Sequence, residues 1–310
     1  MSTSLIDPFI HPLFARHGVE LDLLRLDRID PLISGNKWFK LLPLLERERS
    51  QLPIVSLGGA YSNHLHALAR FGQIHQIATL GIVRTDQLET PTLQDCQNWG
   101  MELRSVSREL YRELCGVDTS GSHTYFEQLR REMGDFDLLP QGGSTPSAVK
   151  ACAQIWRHVP QPSRYQRVIC GVGTGTTLAG LIAGSPDHMH FDGISALAQV
   201  ESHVVEIQTQ LASQTANARV TWGVEAGAEL RFGKVNAELA GVWQRAVQQG
   251  LELDPIYTLR ALHWLIRQVL SGRLSDQQVL LVHTGGLQGL RGQQGRLSRL
   301  ASAHCGPIPL

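Results

Sequence analysis

Residues 168–181 read VICGVGTGTTLAGL. Val168–Cys170 is a short apolar run suited to a buried strand, and Leu178-Ala179-Gly180-Leu181 resumes an apolar pattern suited to a helix start. Between them lie Gly171-Val172-Gly173-Thr174-Gly175-Thr176-Thr177. Glycines let a backbone turn tightly and converge its N–H groups, and a following helix adds the positive end of its dipole. With the threonine hydroxyls, the stretch reads as a phosphate cradle. It is not a P-loop, since no lysine follows the glycines, and GxGxxG spacing breaks at Leu178. Taken alone, the same loop is as readily a structural turn.

The succession of strand, glycine and helix recurs on both sides. Ile54–Leu57 precedes Gly58-Gly59, and Val279–Val282 precedes Gly285-Gly286. Ile77–Val83 is a further buried-strand candidate, and Ser185–His190 reads as a turn before a strand around Phe191–Ala196. Ala148, Ala151, Cys152, Ile155, Trp156 and Val159 recur at helical spacing, with Thr145 as N-cap and Pro146 in the first turn. Leu259, Leu262, Ile266 and Val269 mark another helix. Alternating units of this kind predict an α/β chain with ligand loops at the carboxyl ends of parallel strands. Gly116–His123 reads as a polar surface loop, and no repeat, low-complexity tract or linker stands out.

Composition narrows the chemistry. The 310 residues carry 28 Lys+Arg against 28 Asp+Glu, so no net charge favours polyanions or anionic membranes. Only four of the cations are lysines, Lys37, Lys40, Lys150 and Lys234, which argues against a nucleic-acid groove. The start, MSTSLIDPFIHPLF, has no basic segment with a continuous apolar stretch, and no run reaches the ~18 apolar residues of a membrane span. A soluble cytoplasmic protein is the expectation. Cys96, Cys115, Cys152, Cys170 and Cys305 are odd in number and without CxxC spacing, so reduced, mostly packed thiols are expected. The thirteen histidines form no HExxH, and His64 and His66 fall on different sides of a helix, so no metal is expected.

Two further elements carry candidate chemistry. Ser34-Gly35-Asn36-Lys37-Trp38-Phe39-Lys40 puts two lysines beside a glycine turn, with Pro43 starting or kinking the helix that follows. A lysine with a lowered pKa forms a Schiff base with a carbonyl, although most lysines are simply solvated. Ser56-Leu57-Gly58-Gly59-Ala60-Tyr61-Ser62-Asn63-His64 is again strand, glycine turn and helix start. Ser62 and Asn63 could be plain caps there, and His64 stands where a nucleophile elbow needs glycine.

Taken in order, GNK at Lys37, GGxxSNH at 58–64 and the GTGTT loop resemble the pyridoxal-phosphate enzymes of the 1-aminocyclopropane-1-carboxylate deaminase and D-cysteine desulfhydrase family. Pro140-Gln141-Gly142-Gly143-Ser144, Leu253-Asp254-Pro255-Ile256-Tyr257-Thr258 and His283-Thr284-Gly285-Gly286 extend the resemblance to residues 20–290. It implies a tryptophan-synthase-β-like (fold type II) architecture: a large α/β domain from 1–48 and 145–310, a smaller inserted α/β domain from 49–144, and a homodimer. It implies pyridoxal 5'-phosphate in the cleft, joined to Lys37 as a Schiff base. Asn63 then meets the ring hydroxyl, Gly173, Thr174, Gly175, Thr176 and Thr177 hold the phosphate, and Thr258 or Thr284 faces the pyridine nitrogen. Ser62, with Asn63 and His64, lies at the carboxylate of a small amino-acid substrate. Tyr257 serves as a catalytic acid or support, against the plain reading of a core aromatic.

Family deaminases resemble one another in having Glu after the tyrosine and an apolar residue in the HTGG position, where this chain has Thr258 and Thr284. A hydroxyl leaves the pyridine nitrogen neutral, which suits loss of a good leaving group. The implied activity is therefore β-elimination from D-cysteine to pyruvate, ammonia and hydrogen sulfide. The alternatives are 1-aminocyclopropane-1-carboxylate deamination, elimination or racemisation on another small amino acid, and a catalytically silent cofactor-binding protein. The chain also departs from the family pattern. Tyr61 replaces a glutamine, Trp38-Phe39 replace Thr-Arg, and Phe232, within Leu230–Lys234, stands where a substrate-contacting tyrosine is expected. Lys40 is expected on the helix after the site, which leaves Lys37 alone at the cofactor.

Overall fold

The computed structural model describes residues 4–46, 52–84, 88–118, 120–196, 200–214, 220–227, 230 and 232–303. The described strands are β1 (Ile6–Pro8), β2 (Glu20–Arg25), β3 (Ile54–Gly59), β4 (Thr79–Arg84), β5 (Glu102–Ser105), β6 (Asp137–Leu139), β7 (Arg167–Val172), β8 (His190–Ser195), β9 (Thr221–Ala226) and β10 (Gln278–His283). They form a six-stranded sheet ordered β1-β2-β10-β7-β8-β9 and a four-stranded sheet ordered β5-β4-β3-β6. Only the β1–β2 pair is antiparallel.

The central strands are apolar on both faces because both faces are covered. Along β7 and β10, Ile169, Val279 and Leu281 point to a cluster with the helices Ala237–Gln248 and Thr258–Leu270, through Leu239, Val242, Leu262 and Ile266. Their neighbours Val168, Cys170, Leu280 and Val282 point the other way, to Val149, Cys152, Leu178 and Ile182 on the helices Pro146–Ala153 and Thr176–Ala183. The smaller sheet repeats the arrangement. Ile54 and Val83 pack with Leu65, Leu68 and Leu93, and Val55, Leu57 and Ile82 pack with Leu114 and Phe126. Truncating one such buried leucine costs about 2–5 kcal/mol.

Between the sheets sits the short helix Asn36–Leu41. Its Phe39 belongs to the larger sheet's core and its Leu41 to the smaller sheet's, while Trp38 packs against both. Trp38, next to Lys37, therefore wedges the two cores together. An ion pair also joins them, Arg291 to Asp95 at 2.6 Å.

At Pro43 the helix breaks its regularity, the second of the two outcomes expected there: the α-helix ends at Leu41, and Leu42–Glu46 continues as a 3-10 turn, because proline lacks the donor an α-helix needs. The periodic run 148–159 likewise splits, with Pro146–Ala153 α-helical and Gln154–His158 a 3-10 turn. Thr145 caps it as expected, accepting from the Ala148 N–H at 3.1 Å. Cys96, Cys152 and Cys170 are buried, but Cys115 is exposed. Cys305, Arg231 and the boundary at residue 48 lie outside the described residues. No helix among the described residues is long and apolar enough to cross a membrane.

Candidate active site

The glycine loops after β3, β7 and β10 converge on the helix Asn36–Leu41. Gly35 has φ +67°, a conformation that disfavours any side chain, and a Cβ there would collide with the Thr284 carbonyl oxygen. That carbonyl accepts the Asn36 N–H at 3.1 Å, and Ser34 Oγ accepts the Gly286 N–H at 3.3 Å. On the other side, Asn36 Nδ2 donates to Thr177 Oγ1 at 2.7 Å. The segment carrying Lys37 is thus pinned to both the HTGG turn and the glycine-threonine loop.

Lys37 is half-buried, and desolvation, reinforced by the charge of Lys40, pushes its pKa well below the lysine range. Lys40 is where the sequence reading is corrected. It is not on a later helix but one turn along the same one, buried, with its ammonium donating to Thr174 Oγ1 and to the Gly142 carbonyl, each at 3.2 Å. Residues three apart share a helix face, so the spacing itself held the signal. The cradle is also braced from outside: Thr176 Oγ1 donates to Ser144 Oγ at 2.9 Å, and Gln210 Nε2 donates to the Thr174 carbonyl at 2.9 Å. Gln210 lies on the helix Glu201–Ala212, which sequence reasoning did not single out.

At the start of the helix Asn63–His75, Ser62 is indeed the cap, its Oγ accepting the Leu65 N–H at 3.2 Å. Its own O–H remains available to donate. Asn63 packs against Gly286 and Gly289, and its buried Oδ1 has no hydrogen-bond partner. His64 is buried. Ser56 Oγ donates to the Leu139 carbonyl at 2.7 Å and so accepts from His64 Nε2 at 2.8 Å. That fixes the tautomer with Nδ1 bare, and Nδ1 is buried without a partner. Burial, then the charges of Lys37 and Lys40, hold the His64 pKa well below the usual histidine value, so the ring is neutral.

Asp254 organises the opposite wall. Its carboxylate accepts the N–H groups of Ile256, Tyr257 and Thr258 at 3.1, 2.7 and 2.9 Å. This turn sets Tyr257 against the glycine-threonine loop, where a Cβ on Gly173 would lie 3.1 Å from the phenol oxygen. Burial and Asp254 push the Tyr257 pKa up to about 12, so the phenol keeps its proton near neutrality. Thr258 is fully buried, and its Oγ1 has no partner. Thr284, by contrast, is tied into the turn through its carbonyl. Tyr61 and Phe232 stand apart from these groups as exposed aromatics.

The residues fit pyridoxal 5'-phosphate. A phosphate matches the glycine-threonine backbone beside a buried ammonium, and the lone oxygens of Asn63 and Thr258 match a ring hydroxyl and a ring nitrogen. A buried polar atom left unpaired costs about 1–3 kcal/mol, and a bound cofactor would complete those of Asn63 and Thr258.

No family model matches the chain. Among curated proteins it is 27% identical over 299 residues to a putative 1-aminocyclopropane-1-carboxylate deaminase of Pyrococcus abyssi, covering 88% of this chain and 86% of that one. It is 26% identical over 297 residues to the D-cysteine desulfhydrase of Klebsiella pneumoniae, covering 88% of each. Among solved structures, one described as an ACC deaminase homologue superposes with a TM-score of 0.80 at 21% identity, over 96% of this chain and 93% of that one. A hydrogen sulfide-producing enzyme from Fusobacterium nucleatum gives 0.63 at 13% identity, over 92% and 96%.

Proposed function

We propose that this chain, a relative over most of its length of the 1-aminocyclopropane-1-carboxylate deaminases and D-cysteine desulfhydrases, is a pyridoxal-phosphate-dependent lyase acting on a small amino acid. Its tertiary structure is of fold type II. The observation that carries the reading is that the segment bearing the desolvated Lys37 is pinned by Asn36 to both the HTGG turn and the glycine-threonine cradle. We read 1–48 with 145–310 as the large domain and 49–144 as the small one, and the enzyme as a cytoplasmic homodimer, which fractionation and sedimentation test.

When bound, the cofactor supplies the electron sink that makes a Cα carbanion accessible. Lys37 would hold the cofactor through its carbonyl and is placed to take the Cα proton, since desolvation and the charge of Lys40 lower its pKa and favour the neutral amine. Lys40 and Gly173–Thr177 would hold the phosphate. Asn63 Oδ1 would accept from the ring hydroxyl, and Thr258 would donate to the ring nitrogen without protonating it. Ser62 donates its free O–H to the substrate carboxylate. Tyr257, which keeps its proton, is placed as a donor rather than a base. The overall change is cysteine plus water to hydrogen sulfide, pyruvate and ammonia.

A hydroxyl rather than a carboxylate at the ring nitrogen favours elimination of thiol over opening of a cyclopropane. The test is a product assay on the reconstituted enzyme. Sulfide and pyruvate from D-cysteine, without 2-oxobutanoate from 1-aminocyclopropane-1-carboxylate, is the expected outcome. The reverse pattern overturns the argument from Thr258, and no turnover of any amino acid overturns the lyase reading.

A further inference from the structure

His283 ends β10, immediately before the turn that carries the Thr284 carbonyl, and its imidazole is fully buried. The Gly285 N–H donates to its Nδ1 at 3.2 Å. A ring nitrogen that accepts carries no proton, so the hydrogen of this imidazole sits on Nε2. From Nε2 it is donated to the Glu252 carbonyl at 2.8 Å. Asp27 Oδ1, 3.6 Å from Nδ1, is beyond hydrogen-bond reach and is itself gripped by Arg25 at 2.6 and 2.9 Å. The two bonds of His283 reach different parts of the site. Gly285 lies between Thr284, whose carbonyl accepts the Asn36 N–H at 3.1 Å, and Gly286, whose N–H donates to Ser34 Oγ at 3.3 Å. That side is the anchor of the segment bearing Lys37. Glu252 stands two residues before Asp254, whose carboxylate accepts the N–H groups of Ile256, Tyr257 and Thr258. One imidazole therefore spans from the Lys37 anchor to the turn that aims Tyr257.

We propose that His283 is a positioning residue for the lyase reaction: its two hydrogen bonds fix the Tyr257 phenol relative to the segment bearing Lys37. The proposal rests on the lyase reading and adds to it a residue that acts through Tyr257. The loop that faces Tyr257 offers no side chain to hold it. A Cβ on Gly171 would lie 2.8 Å from the tyrosine Cβ, and one on Gly173 would lie 3.1 Å from the phenol oxygen. The ring rests on bare backbone there, which leaves the segment from Glu252 to Thr258 to set its depth. A reacting group displaced by about 1 Å can lose on the order of 100-fold in rate, so a lost bond at Glu252 is read in turnover. The two ring nitrogens can be replaced one at a time. An asparagine amide stands near Nδ1 and still accepts from Gly285, but it is too short to donate to Glu252. A glutamine amide reaches Glu252 with its N–H and gives up the bond to Gly285.

The experiment uses the cofactor-loaded enzyme and the amino acid that the parent turns over fastest, with the visible band of the bound cofactor showing that each variant is folded and loaded. His283→Asn is expected to lower kcat by about 10-fold or more while KM stays within about 3-fold. His283→Gln, which keeps the donor to Glu252, is expected to hold kcat within about 3-fold of the parent. In the Tyr257→Phe background His283→Asn is expected to cost less than about 3-fold, because the hydroxyl it positions is gone. A loss of about 10-fold or more in His283→Gln overturns the proposal whether or not His283→Asn loads. An unchanged kcat in His283→Asn overturns it too, as do losses that multiply in the double variant, and in all these cases an active parent leaves the lyase reading standing. A parent that turns over no amino acid overturns the lyase reading, and this proposal with it.

Discussion

Lys37 and Lys40 divide the work of one site between them, and their separation by three residues makes that possible. Both are desolvated, and the charge of Lys40 lowers the Lys37 pKa further; a bound phosphate would relieve the conflict. Replacing Lys40 by methionine is therefore expected to preserve the covalent link at Lys37 but to weaken cofactor retention by about 10-fold or more, measured by equilibrium dialysis. Thr258→Val separates the structural from the functional role of the buried hydroxyl. With no partner for Oγ1 in the protein, the cofactor-free variant should stay within about 0.5 kcal/mol of the parent in urea unfolding. Its loaded form should show a shifted visible band and weaker cofactor retention. Unchanged spectra would remove Thr258 from the ring nitrogen.

At the scale of elements, the glycine-flanked strands were legible because burial on both faces writes a continuous apolar run. Val168–Cys170, Ile54–Leu57 and Val279–Val282 all lie within strands, and Thr145-Pro146 opens its helix as its cap chemistry requires. What was not legible was the company each loop keeps. Lys40 looked like an ordinary helical lysine because its partners, Gly142 and Thr174, lie more than a hundred residues away. Asp254 and Ser56 were likewise plain members of their motifs until the fold gave them three backbone N–H groups and a buried imidazole to hold. The turn at Gly35 yields a prediction at this scale. Gly35→Ala forces a side chain into positive φ and onto the Thr284 carbonyl, so it is expected to cost more than about 2 kcal/mol in denaturant unfolding and to weaken cofactor retention. A neutral outcome would mean that the two loops are not locked together.

Across the whole molecule, two sheets with separate cores meet at Trp38, the Asp95–Arg291 pair and the loops of the cleft. The cleft is costly without its ligand. Desolvated Lys37 has a depressed pKa in the folded protein, so between that value and lysine's usual ~10.4 the unfolded chain binds more protons, and stability rises with pH. Lys37→Met removes the penalty. The cofactor-free variant is expected to melt above the parent at neutral pH, with the gap closing as pH approaches ~10.4; a constant gap would deny that the lysine is strained by burial. The account as a whole turns on one linkage, and borohydride reduction of the reconstituted protein followed by peptide mass mapping reads it directly. The expected result is a single pyridoxyl-phosphate adduct on the peptide containing Lys37, lost in Lys37→Ala and retained in Lys150→Ala and Lys234→Ala. A protein that takes up no cofactor, or one whose adduct maps to any other lysine, would contradict it.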